Sequence, residues 1–293
     1  MTKVAVISTK DRVEGVNKSL KLLGINPVKD KNVIFKPNFN TADPPPASSS
    51  METIKQLIIK LKEMGAKSIT LAERSGPVDT AEAFEKIGIN TLAQDLGFDV
   101  VNLEKLPKDD FILKNPEGSH WKNGFLFPKI YDEAECIVET CCLKTHMFGG
   151  HFTLSLKNAV GLVPKTYMSE MHASRKFHRD MIAEINSVYK PDLIVMDGVI
   201  TFVDGGPMEG TRVDANVFVA GTDKVAVDAV GVALLRILGT TPKVRKGPIF
   251  EQAQIKRAVE LGVGIDSPDK IEFLTDSVDS EKLVAQIKEK LME

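Results

Sequence analysis

Residues 141–164, CCLKTHMFGGHFTLSLKNAVGLVP, gather Lys144, His146, His151 and Lys157 around the turn Gly149-Gly150. Two amines in such a stretch can hold an anion, and two imidazoles can ligate a metal or move protons near neutral pH. Taken singly, each of these side chains is just as readily an incidental loop residue. Their grouping is what points to a site.

Two further polar groups have a matching setting. Lys36 and Asn38 follow the apolar run VIF, and Glu73, Ser75 and Gly76 follow the run ITLA. If both runs are strands, these residues fall at or just beyond carboxyl ends, where the ligand crevice of an open α/β sheet lies. Asn38 and Ser75 also suit plain turns and caps. Further along, His172 stands in a polar segment before a helix and is free to reach a site, whereas His178 lies close to that helix's apolar face and suits a core position. The loop TFVDGGPMEG carries Gly205 and Gly206, whose amides are able to approach a ligand, although the stretch lacks the spacing of a phosphate-binding fingerprint.

The elements that must position these groups alternate along the chain. Expected strands at 4–8, 33–36 and 68–72 are interleaved with amphipathic helices near 16–23 and 54–64, and Ser48 to Ser50 offer an N-cap for the second helix. A strand ending near Cys142 leads into the central cluster, and the spacing of Leu154, Leu156, Val160 and Leu162 predicts a helix soon after Gly150. A helix N-terminus there would favour an anion. Later expectations are a strand at 193–196, another at 217–220, and a small-residue helix over 226–238 with Asp223 as a possible cap. Strand, helix, strand, helix is the doubly wound α/β pattern with a mostly parallel sheet. It forms one large domain, or two α/β lobes, 1–110 and 111–293, with a crevice between them.

Composition narrows the partners. The 293 residues include 38 basic and 40 acidic side chains and give a net charge of -2, so nothing electrostatic calls for nucleic acid or a membrane surface. The opening MTKVAVIST reads as a first strand and not as a signal peptide, and no apolar run has membrane-spanning length. The three cysteines, Cys136, Cys141 and Cys142, lack the paired spacing of a zinc or iron–sulfur site and suit small apolar positions on a buried strand in a reducing cytoplasm.

An ordered set of segments carries a resemblance: VIFKPNFN at 33–40, LAERSG at 71–76, LKTHMFGGHFTLSLKNAVGLVP at 143–164, KPDLIVMDGV at 190–199, GGP at 205–207 and AGTDKVAVDAVG at 220–231. In these the chain resembles the uncharacterised family called domain of unknown function 362. Many members carry a ferredoxin-like iron–sulfur module, and this chain has no cysteines for a built-in cluster. More distantly it is similar to the lactate racemase family, which holds nickel in a pincer nucleotide linked to a lysine and uses histidines for metal binding and proton transfer. On that resemblance Lys157 corresponds to the linking lysine and His172 or His178 to a later histidine. The turn Glu73-Arg74-Ser75-Gly76 lacks the matching histidine, which sets the two chemistries apart.

The expectation is therefore a cytoplasmic enzyme that binds a metal or a phosphate-bearing cofactor and acts on a small anionic molecule. Lys36, Lys144 and Lys157 would hold negative charge, with Asn38, Ser75, Gly76, Gly205 and Gly206 around the ligand. His146, His151, Lys157 and Glu73 would supply acid–base chemistry, and His146, His151 and His172 would ligate a transition metal, since residue types alone do not choose among zinc, nickel, iron and copper. The alternative is a non-catalytic protein that binds a cofactor or anion and works with a separate redox protein.

Overall fold

The computed structural model describes residues 1–148 and 151–293, so the Gly149-Gly150 turn lies outside the described residues. Strands β1 (Thr2–Ser8), β2 (Asn32–Lys36), β3 (Ser68–Glu73), β4 (Asp99–Asn102), β7 (Cys136–His146), β8 (His151–Thr153), β9 (Leu193–Phe202), β10 (Arg212–Gly221) and β11 (Ile271–Leu274) form one mixed sheet, and β5 (Phe111–Lys114) pairs with β6 (Phe125–Pro128) beside it. The large sheet runs β11-β1-β10-β9-β7-β2-β3-β4, with β8 turned back on β7. Pairings among β9, β7, β2, β3 and β4 are parallel, and β10 is antiparallel to both of its neighbours. Strands from either side of residue 110 are hydrogen-bonded neighbours in this sheet.

Both faces are covered, which is why the strands read as near-continuous apolar runs. Along β1, Val4 and Val6 join the core beneath the helix Lys224–Leu238, whereas Ala5 and Ile7 join the opposite core with Val16, Ile54 and Leu57. Period-two alternation thus feeds two layers of helices, the doubly wound arrangement. The helices begin where the sequence provides caps. Ser50 accepts a hydrogen bond from the Glu52 amide at the start of Met51–Glu63, and Asp223 accepts one from Ala226 at the start of Lys224–Leu238. The second of these helices lies close against its neighbours: a Cβ on Gly231 would stand 2.8 Å from Leu154. No helix among the described residues is long and apolar enough to cross a membrane.

The central cluster differs from expectation. β7 does not stop near Cys142 but continues to His146, because β8 returns to pair Lys144 with Thr153 and His146 with His151, while β9 pairs Phe202 with Lys144. Phe152 and Leu154 both enter the core, an alternation that serves a strand. A four-residue α-helix, Ser155–Asn158, follows and continues as the short 3-10 helix Ala159–Leu162. No long helix N-terminus faces the site from this segment. The three cysteines are buried free thiols, as their apolar setting in the sequence suggested.

Candidate functional site

β2 and β3 are parallel neighbours that end at Lys36 and Glu73, and β7 flanks β2 on its other side. Pro37 ends β2 by removing the next ladder donor. The two strand-end side chains then meet: Lys36 Nζ donates to Glu73 Oε2 at 2.7 Å, to the Pro37 carbonyl at 2.9 Å and to Asn158 Oδ1 at 3.2 Å. Glu73 also accepts from the Arg74 amide at 2.8 Å and the Phe39 amide at 3.2 Å. A buried ion pair is tolerable only when its remaining donors and acceptors are satisfied in this way.

Asn158 extends the network. Its Oδ1 also accepts from Asn38 Nδ2 at 3.2 Å, and Asn38 Oδ1 accepts from Lys144 Nζ at 2.9 Å. Lys144 donates its other bond to the Ala47 carbonyl at 2.5 Å. Among the described residues no carboxylate pairs with Lys144, and burial pulls its amine below the usual lysine range. Arg74 ties the end of β3 to the turn after Asn158: Nη2 donates to the carbonyls of Val160 and Val163 at 2.6 and 2.7 Å, and Nη1 to that of Ser75 at 2.9 Å. Lys165 is likewise engaged, with the Val78 carbonyl and with Glu104 at 2.8 Å.

These groups wall a cavity of about 420 Å³, at the small end of ligand sites. Of the residues singled out in the sequence, Lys36, Asn38, Glu73, Gly76, His146, Lys157 and His172 line it, together with Asn40, Arg74, Thr153, Asn158, Gly161 and Lys165. An apolar side is made by Phe148, Val160, Met168, Met171, Pro207 and Met208. Lys157 is distinct among the lining cations, because its amine has no hydrogen-bond or ion-pair partner among the described residues. Burial first, then the charges of Lys144 and Arg74, bring it down to about 8. The imidazoles are neutral at pH 7. His146 is held well below its ordinary value, chiefly by burial and then by Lys157, and His172 is lowered for the same two reasons. The Phe148 amide donates to His146 Nδ1 at 3.1 Å, which leaves the proton on Nε2.

Several expected members lie elsewhere. His151 has φ 59° and its Nε2 accepts from Arg179 Nη1 at 3.3 Å, off the cavity wall. Ser75 turns inward, with its amide on Thr80 Oγ1. Gly205 and Gly206 have φ of 67° and 74° and serve the backbone: a Cβ on Gly206 would stand 2.1 Å from the Thr145 carbonyl, and the Gly206 amide is already given to Glu209. Lys144 sits behind the wall and acts on it through Asn38 and through its charge. Glu73 is engaged by Lys36, His151 pairs with His146 in the ladder but does not line the cavity, and among the described residues no three His, Cys, Asp or Glu side chains group as metal ligands. The donor set fits an anion better than a metal held by side chains. His178 is buried, as a core histidine, with Nδ1 on the Met171 carbonyl at 3.0 Å.

The sequence reading missed a second buried polar cluster across β7. Glu139, paired in register with Lys36, has Lys224 Nζ 3.7 Å away, and that amine lies 4.0 Å above the Tyr189 ring. Asp228 accepts from the amides of Ser155 at 2.8 Å and Leu156 at 3.3 Å, and burial pushes its carboxyl up to about 8. The sequence signal for this cluster is Asp228, a carboxylate within the small-residue helix expected over 226–238.

Comparison with known proteins adds three findings. The model of the family described as Domain of unknown function (DUF362) matches residues 33–233. The Thylakoid-associated protein sll1697 of Synechocystis sp. is 28% identical over 109 residues, which are 36% of this chain and 34% of that protein, so the match spans about a third of the relative's length. Among solved structures, the lactate racemase apoprotein from Thermoanaerobacterium thermosaccharolyticum aligns over 97% of this chain and 85% of its own, at 14% identity and a TM-score of 0.49.

Proposed function

This chain belongs to the family described as Domain of unknown function (DUF362), and we propose that it is an enzyme acting on a small anionic molecule bound in the strand-end cavity. One observation carries the reading. The wall holds Lys36, Arg74, Lys157 and Lys165, with the Lys144 charge behind it; Glu73 offsets Lys36 and Glu104 offsets Lys165, and among the described residues Arg74, Lys144 and Lys157 have no carboxylate in an ion pair. In a small, partly apolar enclosure such an excess favours an anion of one or two charges, a carboxylate or a phosphate. Lys157 supplies the reacting amine or base, and His146 and His172, neutral and facing the same cavity, move protons. Three buried free thiols accord with a reducing compartment, and the reading places the protein in the cytoplasm.

Calorimetric titration with phosphate and short-chain carboxylates at low salt tests this. The wild type is expected to bind at one site, and Lys157→Met to bind at least about tenfold more weakly, since a desolvated charged contact is worth more than roughly 1.4 kcal/mol. Failure of every small anion to bind overturns the reading. Stoichiometric binding, with no turnover of any bound acid, assigns the protein instead to the class of anion or cofactor carriers that work with a separate redox protein.

A further inference from the structure

The cations of the cavity wall are not equivalent. Lys36 is held by Glu73 and Asn158, Arg74 by three carbonyls, and Lys165 by Glu104 and Val78. They set the charge of the enclosure with most of their donors already committed, Arg74 Nε being a buried exception. Lys157 has every donor to lend, and it faces a cavity rather than bulk water. An amine kept enclosed, unpartnered and crowded by fixed cations is a poor structural element, since desolvation without a partner is unfavourable. It is a good nucleophile.

Resting on the reading of the cavity as a small-anion site, we infer that Lys157 forms a carbon–nitrogen double bond with the carbonyl carbon of a small oxo acid whose carboxylate lies among the cavity's cations. The neutral amine adds to the carbonyl carbon, a C–N bond forms, and the carbonyl electron pair moves to oxygen. The C–O bond then breaks as the nitrogen lone pair closes the C=N bond. Both nitrogen protons end on the departing oxygen, so amine and carbonyl give imine and water with no oxidant or reductant. His146 and His172 are placed to carry those protons: each lines the cavity and feels the Lys157 charge. The apolar side, with Met168, Met171 and Met208, adapts to a short carbon chain and keeps water from reversing the step. Fixed cations nearby select an acid over a neutral aldehyde or ketone, and with burial they make the amine easier to deprotonate than an ordinary lysine.

The test is reductive trapping on the full chain. Pyruvate and 2-oxobutyrate, each with cyanoborohydride, are expected to leave one adduct per chain by intact mass, mapped to Lys157 by peptide sequencing and lost in Lys157→Arg. Calorimetry with propionate, which has the carboxylate and no carbonyl, runs alongside. Propionate and pyruvate binding equally well with no adduct trapped overturns the imine and leaves the anion site standing. Adducts spread over surface lysines, or surviving in Lys157→Arg, also overturn it. Binding of neither acid and no adduct overturns both the imine and the anion site.

Discussion

Glu73 Oε2 lies 2.7 Å from Lys36 Nζ, closing the ends of two neighbouring parallel strands with an ion pair that solvent scarcely reaches. Both residues line the cavity, and the pair engages the Lys36 amine. Glu73→Gln keeps the shape but leaves a buried ammonium without its counter-charge, a loss of about 3–5 kcal/mol. Denaturant unfolding is expected to show that loss. The double substitution Lys36→Met with Glu73→Leu is expected to recover most of it, since removing both charges also removes their desolvation penalty. A double variant as unstable as the single one would show that the pair is not the element under strain.

Gly161 explains how the turn after Asn158 approaches that pair. A Cβ there would stand 2.5 Å from Glu73 Oε1 and 3.1 Å from Lys36 Nζ. Gly161→Ala must therefore displace a hydrogen-bonded carboxylate or the turn that Arg74 holds. We expect a destabilisation of about 1–3 kcal/mol by thermal or denaturant unfolding. Small-anion binding is expected to weaken in the same variant, because Gly161 also lines the cavity.

Strand-end placement is what made half of this site legible. Lys36, Asn38, Glu73 and Lys157 follow apolar runs or sit beside a turn, and a parallel sheet brings such positions to one edge whatever their partners are. Their roles depend on partners far away in sequence. Lys36 and Lys144 looked like free anion binders, yet Asn158 lies 122 positions from Lys36 and Ala47 lies 97 from Lys144, and these contacts engage both amines. The β7–β8 hairpin was illegible for a different reason. Over a window as short as HFTLS, alternate apolar residues satisfy a strand and the start of an amphipathic helix alike. Arg74 and Lys165 carried no sequence signal, because carbonyls in distant turns give them their purpose.

Lys157 should be the lysine that reacts first. At pH 8 about half of an amine titrating near 8 is neutral, against roughly one part in three hundred for an ordinary lysine at 10.5. Limiting acylation followed by peptide mapping is expected to label Lys157 ahead of the exposed lysines. Its rate should rise with pH and level off above about 8, where the amine is already neutral. Lys144→Met removes a neighbouring cation, so it should move that profile to higher pH. A Lys157 rate still climbing at pH 10 in the wild type would contradict the cationic enclosure.

Asp228 ties the hairpin region to the buried helix, and its titration gives stability a pH dependence of definite sign. Its carboxyl is raised from 3.8 to about 8, chiefly by burial. Between those values the folded chain holds a proton that the unfolded chain has released, so stability from this group falls as pH rises. Below 3.8 the contribution is complete, and above about 8 it is gone. Asp228→Asn cannot titrate, and its Oδ1 still accepts from the Ser155 and Leu156 amides. The buried histidines, lowered by desolvation, act with the opposite sign over part of the range, but they are common to both proteins and cancel in the comparison. Melting temperature is therefore expected to favour Asp228→Asn by a wider margin at pH 8 than at pH 5. An equal margin at the two pH values would mean that Asp228 is ionised in the folded chain throughout, held by Lys224 and the two amides more strongly than burial opposes it.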